Sequence, residues 1–209
     1  MIIAIDGGAC TGKSTIARLL AERMNYLHIN SGIFFRQISL LMLNNNINAD
    51  NYALCLDKIK VILERYNFSS NMMTDNELKS QVVGDFGAIL AQMPIVRKKV
   101  SDELHSVASQ KNVIIDGRDI GTMEFPNADF KFYFVVDIQE RAKRLAKKRE
   151  IEETEENLRN CQDELQKRDN EDMHREISPL CKASDAIEID GTNMSINEIV
   201  NQLCKIIFD

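Results

Sequence analysis

The residues with the clearest chemistry stand close together near the N-terminus, in Gly7-Gly8-Ala9-Cys10-Thr11-Gly12-Lys13-Ser14-Thr15. This run satisfies G-x-x-x-x-G-K-[ST], directly after an apolar strand-like segment and at the head of a helix-period one. Glycines let such a loop wrap backwards, so that successive backbone N–H groups point at one anion. The helix that begins near Lys13 adds its positive end. Lys13 is expected to reach the β- and γ-phosphates of a nucleoside triphosphate, and the Ser14 hydroxyl to ligate Mg²⁺. Cys10 reads as a small residue tolerated where backbone does the binding, with a redox role as the alternative.

A phosphate loop does not by itself name the acceptor. A guanine-reading N-K-x-D is missing from the sequence, and the chain is too short for most motors. Three further motifs narrow the choice. They are Asn30-Ser31-Gly32-Ile33-Phe34-Phe35-Arg36, then Asp116-Gly117-Arg118-Asp119-Ile120-Gly121-Thr122 with Phe125-Pro126-Asn127-Ala128-Asp129 behind it, and Lys167-Arg168-Asp169 leading to Asp172, Arg175, Pro179 and Leu180. With these motifs the sequence resembles the bacterial cytidylate kinase family, from Ile2 almost to the end.

The resemblance implies an α/β fold of the P-loop NTPase kind, three-layered, with a central parallel sheet, a helical lid and a small acceptor-nucleotide-binding insert. It implies phosphoryl transfer from ATP to CMP or dCMP, giving ADP and CDP or dCDP. Gly7 to Thr15 and Arg144 then match the ATP side, Arg144 within a mobile lid. Arg36, Arg118 and Arg175 match arginines at the acceptor and its phosphate. Ser31, Arg97 and Asp119 match the pyrimidine end, while Arg168 and Asp172 match positions near the sugar. Lys13, Arg118 and Arg175 are the expected catalytic groups, and Asp116, closing its strand, is expected to order Mg²⁺-bound water beside Ser14. A kinase of the same architecture acting on UMP or another acceptor, and a non-enzymatic ATP-binding regulator, are the alternative readings. Three features depart from the family pattern. Ala88 stands where a serine is usual, Leu145 where a second arginine is common, and the stretch from Tyr66 to Lys79 is abbreviated.

The elements that must position these residues follow from apolar spacing. Ile2 to Asp6, Asn112 to Asp116, Phe130 to Val136 and Ala186 to Asp190 read as buried strands, with Leu27 to Ile29 as a weaker one. Ser14 to Met24, Ile33 to Leu43, Ala53 to Arg65, Leu78 to Gln92, Val96 to Ser109 and Ile196 to Phe208 carry helical periodicity. Such alternation predicts a parallel sheet covered on both faces, with ligands at the carboxyl ends of its strands. Tyr66 to Asn76 reads as a polar hairpin or loop. Arg141 to Arg175 reads as an exposed, mobile helical excursion with little apolar periodicity, in which Arg141, Lys143, Arg144, Lys147, Lys148 and Arg149 form a local basic site or a solvated helix face.

With 209 residues, a single kinase domain is expected, containing an insert at 44–92 and a lid at 141–175. A net charge of −6 argues against a nucleic-acid or membrane-surface partner. Five scattered cysteines without C-x-x-C spacing fit a reducing compartment. The opening Met1-Ile2-Ile3-Ala4-Ile5 lacks a basic leader, so a cytoplasmic protein is expected, acting as a monomer on ATP and CMP or dCMP.

Overall fold

A computed structural model describes residues 1–68, 75–109 and 111–208. The chain forms two compact units, Met1–Ile29 with Lys111–Asp209, and Asn30–Gln110.

In the first unit, short runs of apolar and β-branched residues become strands because both of their faces are covered. These are β1 (Ile2–Gly7), β2 (Leu27–Asn30), β3 (Val113–Gly117), β4 (Phe130–Val135) and β5 (Ile187–Asp190), in spatial order β2-β3-β1-β4-β5. The pairs β1–β3, β1–β4 and β4–β5 are all parallel. Ile3, Ile5, Phe132 and Phe134 meet Ile16 and Leu20 of α1 (Lys13–Met24), and Ile199 and Leu203 of α9 (Ile196–Phe208), in one buried core. The register sets Asp6 against Gly117 on one side and against Tyr133 on the other. Parallel strands in that register deliver the loops after β1, β3 and β4 to one sheet edge.

The second unit holds α2 (Ser31–Asn44), α3 (Leu56–Arg65), α4 (Asp75–Lys79), α5 (Gln81–Leu90) and α6 (Pro94–Ala108). Two expected helices are broken. Tyr52–Leu54 is a separate 3₁₀ turn before α3, preceded by side-chain bonds between Asn48 and Asn51 that compete with helix. Leu78 to Gln92 is interrupted at Ser80, whose hydroxyl accepts the Val83 N–H and starts α5 afresh. The loop expected over Tyr66 to Asn76 lies partly outside the described residues.

The segment from Arg141 to Arg175 differs from its expectation. It is a hairpin of α7 (Ile138–Lys148) and α8 (Glu155–His174), and Ala142, Leu145, Ala146, Cys161 and Leu165 form a buried cluster of their own. Alanines and a cysteine carry most of that face, so its periodicity is faint in the sequence. Thr154 caps α8 by accepting the Asn157 N–H. No described helix is long and apolar enough to cross a membrane.

Candidate active site

The phosphate loop closes on itself. Gly12 at φ 90° and Cys10 at φ 56° turn the backbone through the left-handed region. The Thr11 hydroxyl and the Lys13 ammonium both donate to the Gly8 carbonyl, at 3.1 and 2.9 Å. Lys13 is buried with 6% of its surface exposed. Burial, reinforced by the nearby Arg118 charge, pushes its ammonium down to about 7. A phosphate beside it would reverse that, because an anion favours the charged form.

At the end of β1, the Asp6 carboxylate accepts the Ile120 and Gly121 N–H groups at 2.9 and 2.7 Å. It thereby holds the turn Ile120–Glu124, and with it Arg118 and Asp119, beside the phosphate loop. Burial, which two backbone hydrogen bonds only partly offset, raises Asp6 to about 6.

Arg118, Asp119, Arg168, Asp172 and Arg175 come together. Asp172 meets Arg118 at 2.9 Å and Arg168 and Arg175 at 3.5 Å each, and Arg175 lies 3.7 Å from Asp119. Helical spacing on α8 explains the Arg168–Asp172 pair, and Arg175 caps the same helix while donating to the Ser178 carbonyl at 2.6 Å. Burial opposes charge on both Arg118 and Asp172, yet their mutual attraction outweighs it, raising Arg118 and lowering Asp172. The three guanidinium groups bring together forked N–H donors of the kind suited to anionic phosphate.

The α7–α8 hairpin grips the phosphate loop. Arg144 donates to the Thr11 carbonyl at 2.9 Å and the Gly191 carbonyl at 3.2 Å. Arg141 pairs with Asp169 and donates to the Ala9 carbonyl, and Asp169 accepts the Ala9 N–H at 3.0 Å. A Cβ on Gly8 would sit 2.9 Å from the Arg141 guanidinium and 3.0 Å from the Asp169 carboxylate, so a larger residue there would displace this pair. The six cations therefore do not form one patch. Only Arg141 and Arg144 turn to the loop, Lys143 and Arg149 pair with Glu140 and Glu164, and Lys147 and Lys148 are exposed. Leu145, the departure from the family arginine, packs into the hairpin core.

Ser31, Arg36 and Arg97 belong to the second unit. Ser31 opens α2 and is buried. Arg36 donates to the Leu78 and Ser80 carbonyls at 2.7 and 3.1 Å. Its guanidinium lies against Gly84, where a Cβ would come 2.5 Å from it. Buried Arg97 stands over the Phe35 ring, 5.6 Å from its centroid.

Ser14 and Asp116 form the only expected metal pair. The Ser14 hydroxyl donates to Asp116 at 2.5 Å, and the other carboxylate oxygen is 2.7 Å from His28 Nε2. No group of three or more His, Cys, Asp or Glu residues able to hold a metal occurs among the described residues. A hydroxyl and one carboxylate fit Mg²⁺, which keeps several waters and takes the remaining oxygens from phosphates. Sequence spacing alone missed Asp6, His28 and Asp169 as parts of this site, and placed Arg141 only within a general basic cluster. Asp6, immediately before the loop, and Asp169, inside the R-D-x-x-D motif, carried a local signal; His28 carried none.

Similarity to known proteins extends along nearly the whole chain. The family model described as Cytidylate kinase matches residues 3–208. The chain is 33% identical over 208 residues to a cytidylate kinase of Acholeplasma laidlawii, covering 98% of this chain and 94% of that one. It is 37% identical over 218 residues to one of Fusobacterium nucleatum subsp. nucleatum, covering 98% and 96%. In fold it is similar to the crystal structure of an uncharacterized protein from Eubacterium ventriosum, with TM-score 0.55 and 14% identity over 99% of this chain and 97% of that one.

Proposed function

This chain belongs to the cytidylate kinase family, and from that premise we propose that it moves the γ-phosphoryl group of ATP onto the phosphate of CMP or dCMP, releasing ADP and CDP or dCDP. The observation that carries the reading is the buried Lys13 of the phosphate loop beside the arginine cluster centred on Asp172. Phosphoryl transfer needs little covalent help from a protein, since the acceptor oxygen already bears charge. What it needs is alignment, neutralisation and exclusion of water.

Gly7 to Thr15 are assigned to the triphosphate, through backbone N–H groups and the Lys13 ammonium, and Arg144 to its outer side. Lys13, Arg118 and Arg175 supply positive charge where negative charge accumulates in transfer. Ser14 and Asp116 would hold Mg²⁺, which when bound neutralises phosphate oxygens. For the acceptor, Arg36 and the Asp172-centred arginines are assigned to phosphate, Arg168 and Asp172 also to sugar, and Ser31, Arg97 and Asp119 to the base. The unit Asn30–Gln110, which contains the 44–92 insert, thus carries part of acceptor recognition, and the hairpin within 141–175 serves as the lid. A monomer working in the cytoplasm, with no nucleic-acid or membrane partner, is part of the reading.

Coupled measurement of ADP release with a panel of nucleoside monophosphates tests the proposal. CMP and dCMP should be the best acceptors. A faster reaction with UMP, or ATP turnover that ignores the acceptor, would overturn it.

A further inference from the structure

Asp116 sits at the end of β3 with 1% of its surface exposed, and both of its oxygens are engaged from within the same unit. The Ser14 hydroxyl donates to one at 2.5 Å, and His28 Nε2 lies 2.7 Å from the other. A carboxylate only accepts, so His28 presents its Nε2–H here. The chain of contacts His28, Asp116, Ser14 therefore has a direction, with hydrogens pointing into Asp116 from both ends. A serine hydroxyl has one hydrogen and two lone pairs. Once the hydrogen is committed to Asp116, lone pairs are what Ser14 offers to a cation. That outcome depends on the plane of the carboxylate, whose terminal torsion is broad by itself and is restrained by opposed bonds to its two oxygens, the one on Oδ1 coming from His28.

We infer that His28, on β2, is a positioning residue that locks the Asp116 carboxylate and through it the Ser14 hydroxyl for Mg²⁺. The inference rests on the proposed kinase function and adds a residue to it. Groups that orient the partners of a metal ion change metal affinity or activity by about tenfold to a hundredfold when removed.

The experiment uses the full chain with His28→Leu, His28→Ala and His28→Gln. For His28→Leu, the Mg²⁺ concentration giving half-maximal rate at saturating ATP and CMP should rise about tenfold, with little change in kcat or in KM for CMP. Calorimetric titration with ADP should show weaker binding in the presence of Mg²⁺ and unchanged binding in the presence of a chelator. His28→Gln, which restores an N–H donor at similar reach, should recover most of the loss. His28→Ala removes the donor without adding bulk and gives the same comparison if His28→Leu fails to fold. Unchanged Mg²⁺ dependence in the folded donor-less variants, equal loss of ADP affinity with and without Mg²⁺, or no recovery with His28→Gln would overturn the inference. The unaltered protein runs alongside. If it fails to form ADP with CMP, the kinase proposal falls; if it does so and the His28 variants match it, only this inference falls.

Discussion

At the residue scale, Lys13 links stability, pH and ligand binding. Its ammonium is pushed down to about 7 from an ordinary 10.5, so between those values the unfolded chain holds more protons and this group's contribution to stability rises with pH. Below about pH 7 its full cost is present, on the order of a few kcal/mol. Ligand-free Lys13→Met should therefore melt higher than the parent at neutral pH, the gap narrowing toward pH 10, while kcat falls by about 10²–10³. Triphosphate binding at pH 8 should draw a proton from solvent, seen as a buffer-dependent heat in calorimetry. A binding heat independent of buffer would remove Lys13 from the cradle. Asp119 makes a separate prediction about base choice. Cytosine presents an amino donor where uracil presents a carbonyl, and a carboxylate can only accept. Asp119→Asn should narrow the CMP to UMP ratio of kcat/KM by about tenfold or more, chiefly by weakening CMP. Arg36→Ala should depress both substrates alike. Ala88 lacks the hydroxyl usual at its position, so the parent's ratio should already be smaller than Asp119 alone would give.

At the scale of elements, α5 and α2 meet through Gly84 and Arg36. Glycine inside a helix costs about 1 kcal/mol relative to alanine, so Gly84→Ala should gain that much for α5. The added methyl would intrude on the Arg36 guanidinium, whose flexible end can move aside. Fold stability should thus stay level or rise, while KM for CMP increases and KM for ATP does not. Steady-state kinetics beside a thermal melt checks both halves; a lower melting temperature with unchanged KM would contradict the account. The α7–α8 hairpin follows a different logic, since its own apolar cluster supports it and Arg141, Arg144 and Asp169 fasten it to the loop. Leu145 belongs to that internal support.

For the whole molecule, two compact units divide the proposed labour. Hydrogen exchange followed by mass spectrometry should show an ATP analogue protecting residues 7–15 and α7. CMP should add protection in α2 and α6 of the other unit and around Arg118 and Asp119. The exposed connection between α7 and α8, where Glu150 adopts φ 57°, should resist proteolysis best with both ligands present. Exchange in Asn30–Gln110 that ignores CMP would remove that unit from acceptor recognition.

The sequence by itself determined what neighbouring residues can decide: the phosphate loop, the strands as unbroken apolar runs, the arginine and aspartate spacing of α8, and the family resemblance carried by those motifs. Single helices were not fully legible, because the Ser80 cap competes locally with the periodicity that runs through it. The hairpin core was hidden because alanine and cysteine signal burial weakly. Only the tertiary structure could join His28 to Asp116 across 88 residues, or turn both oxygens of Asp6 onto the Ile120 and Gly121 amides. Those contacts depend on strand order and on the register that pairs Ile5 with Asp116. Strand order and register are chosen by burial of the whole sheet, and no local spacing encodes them.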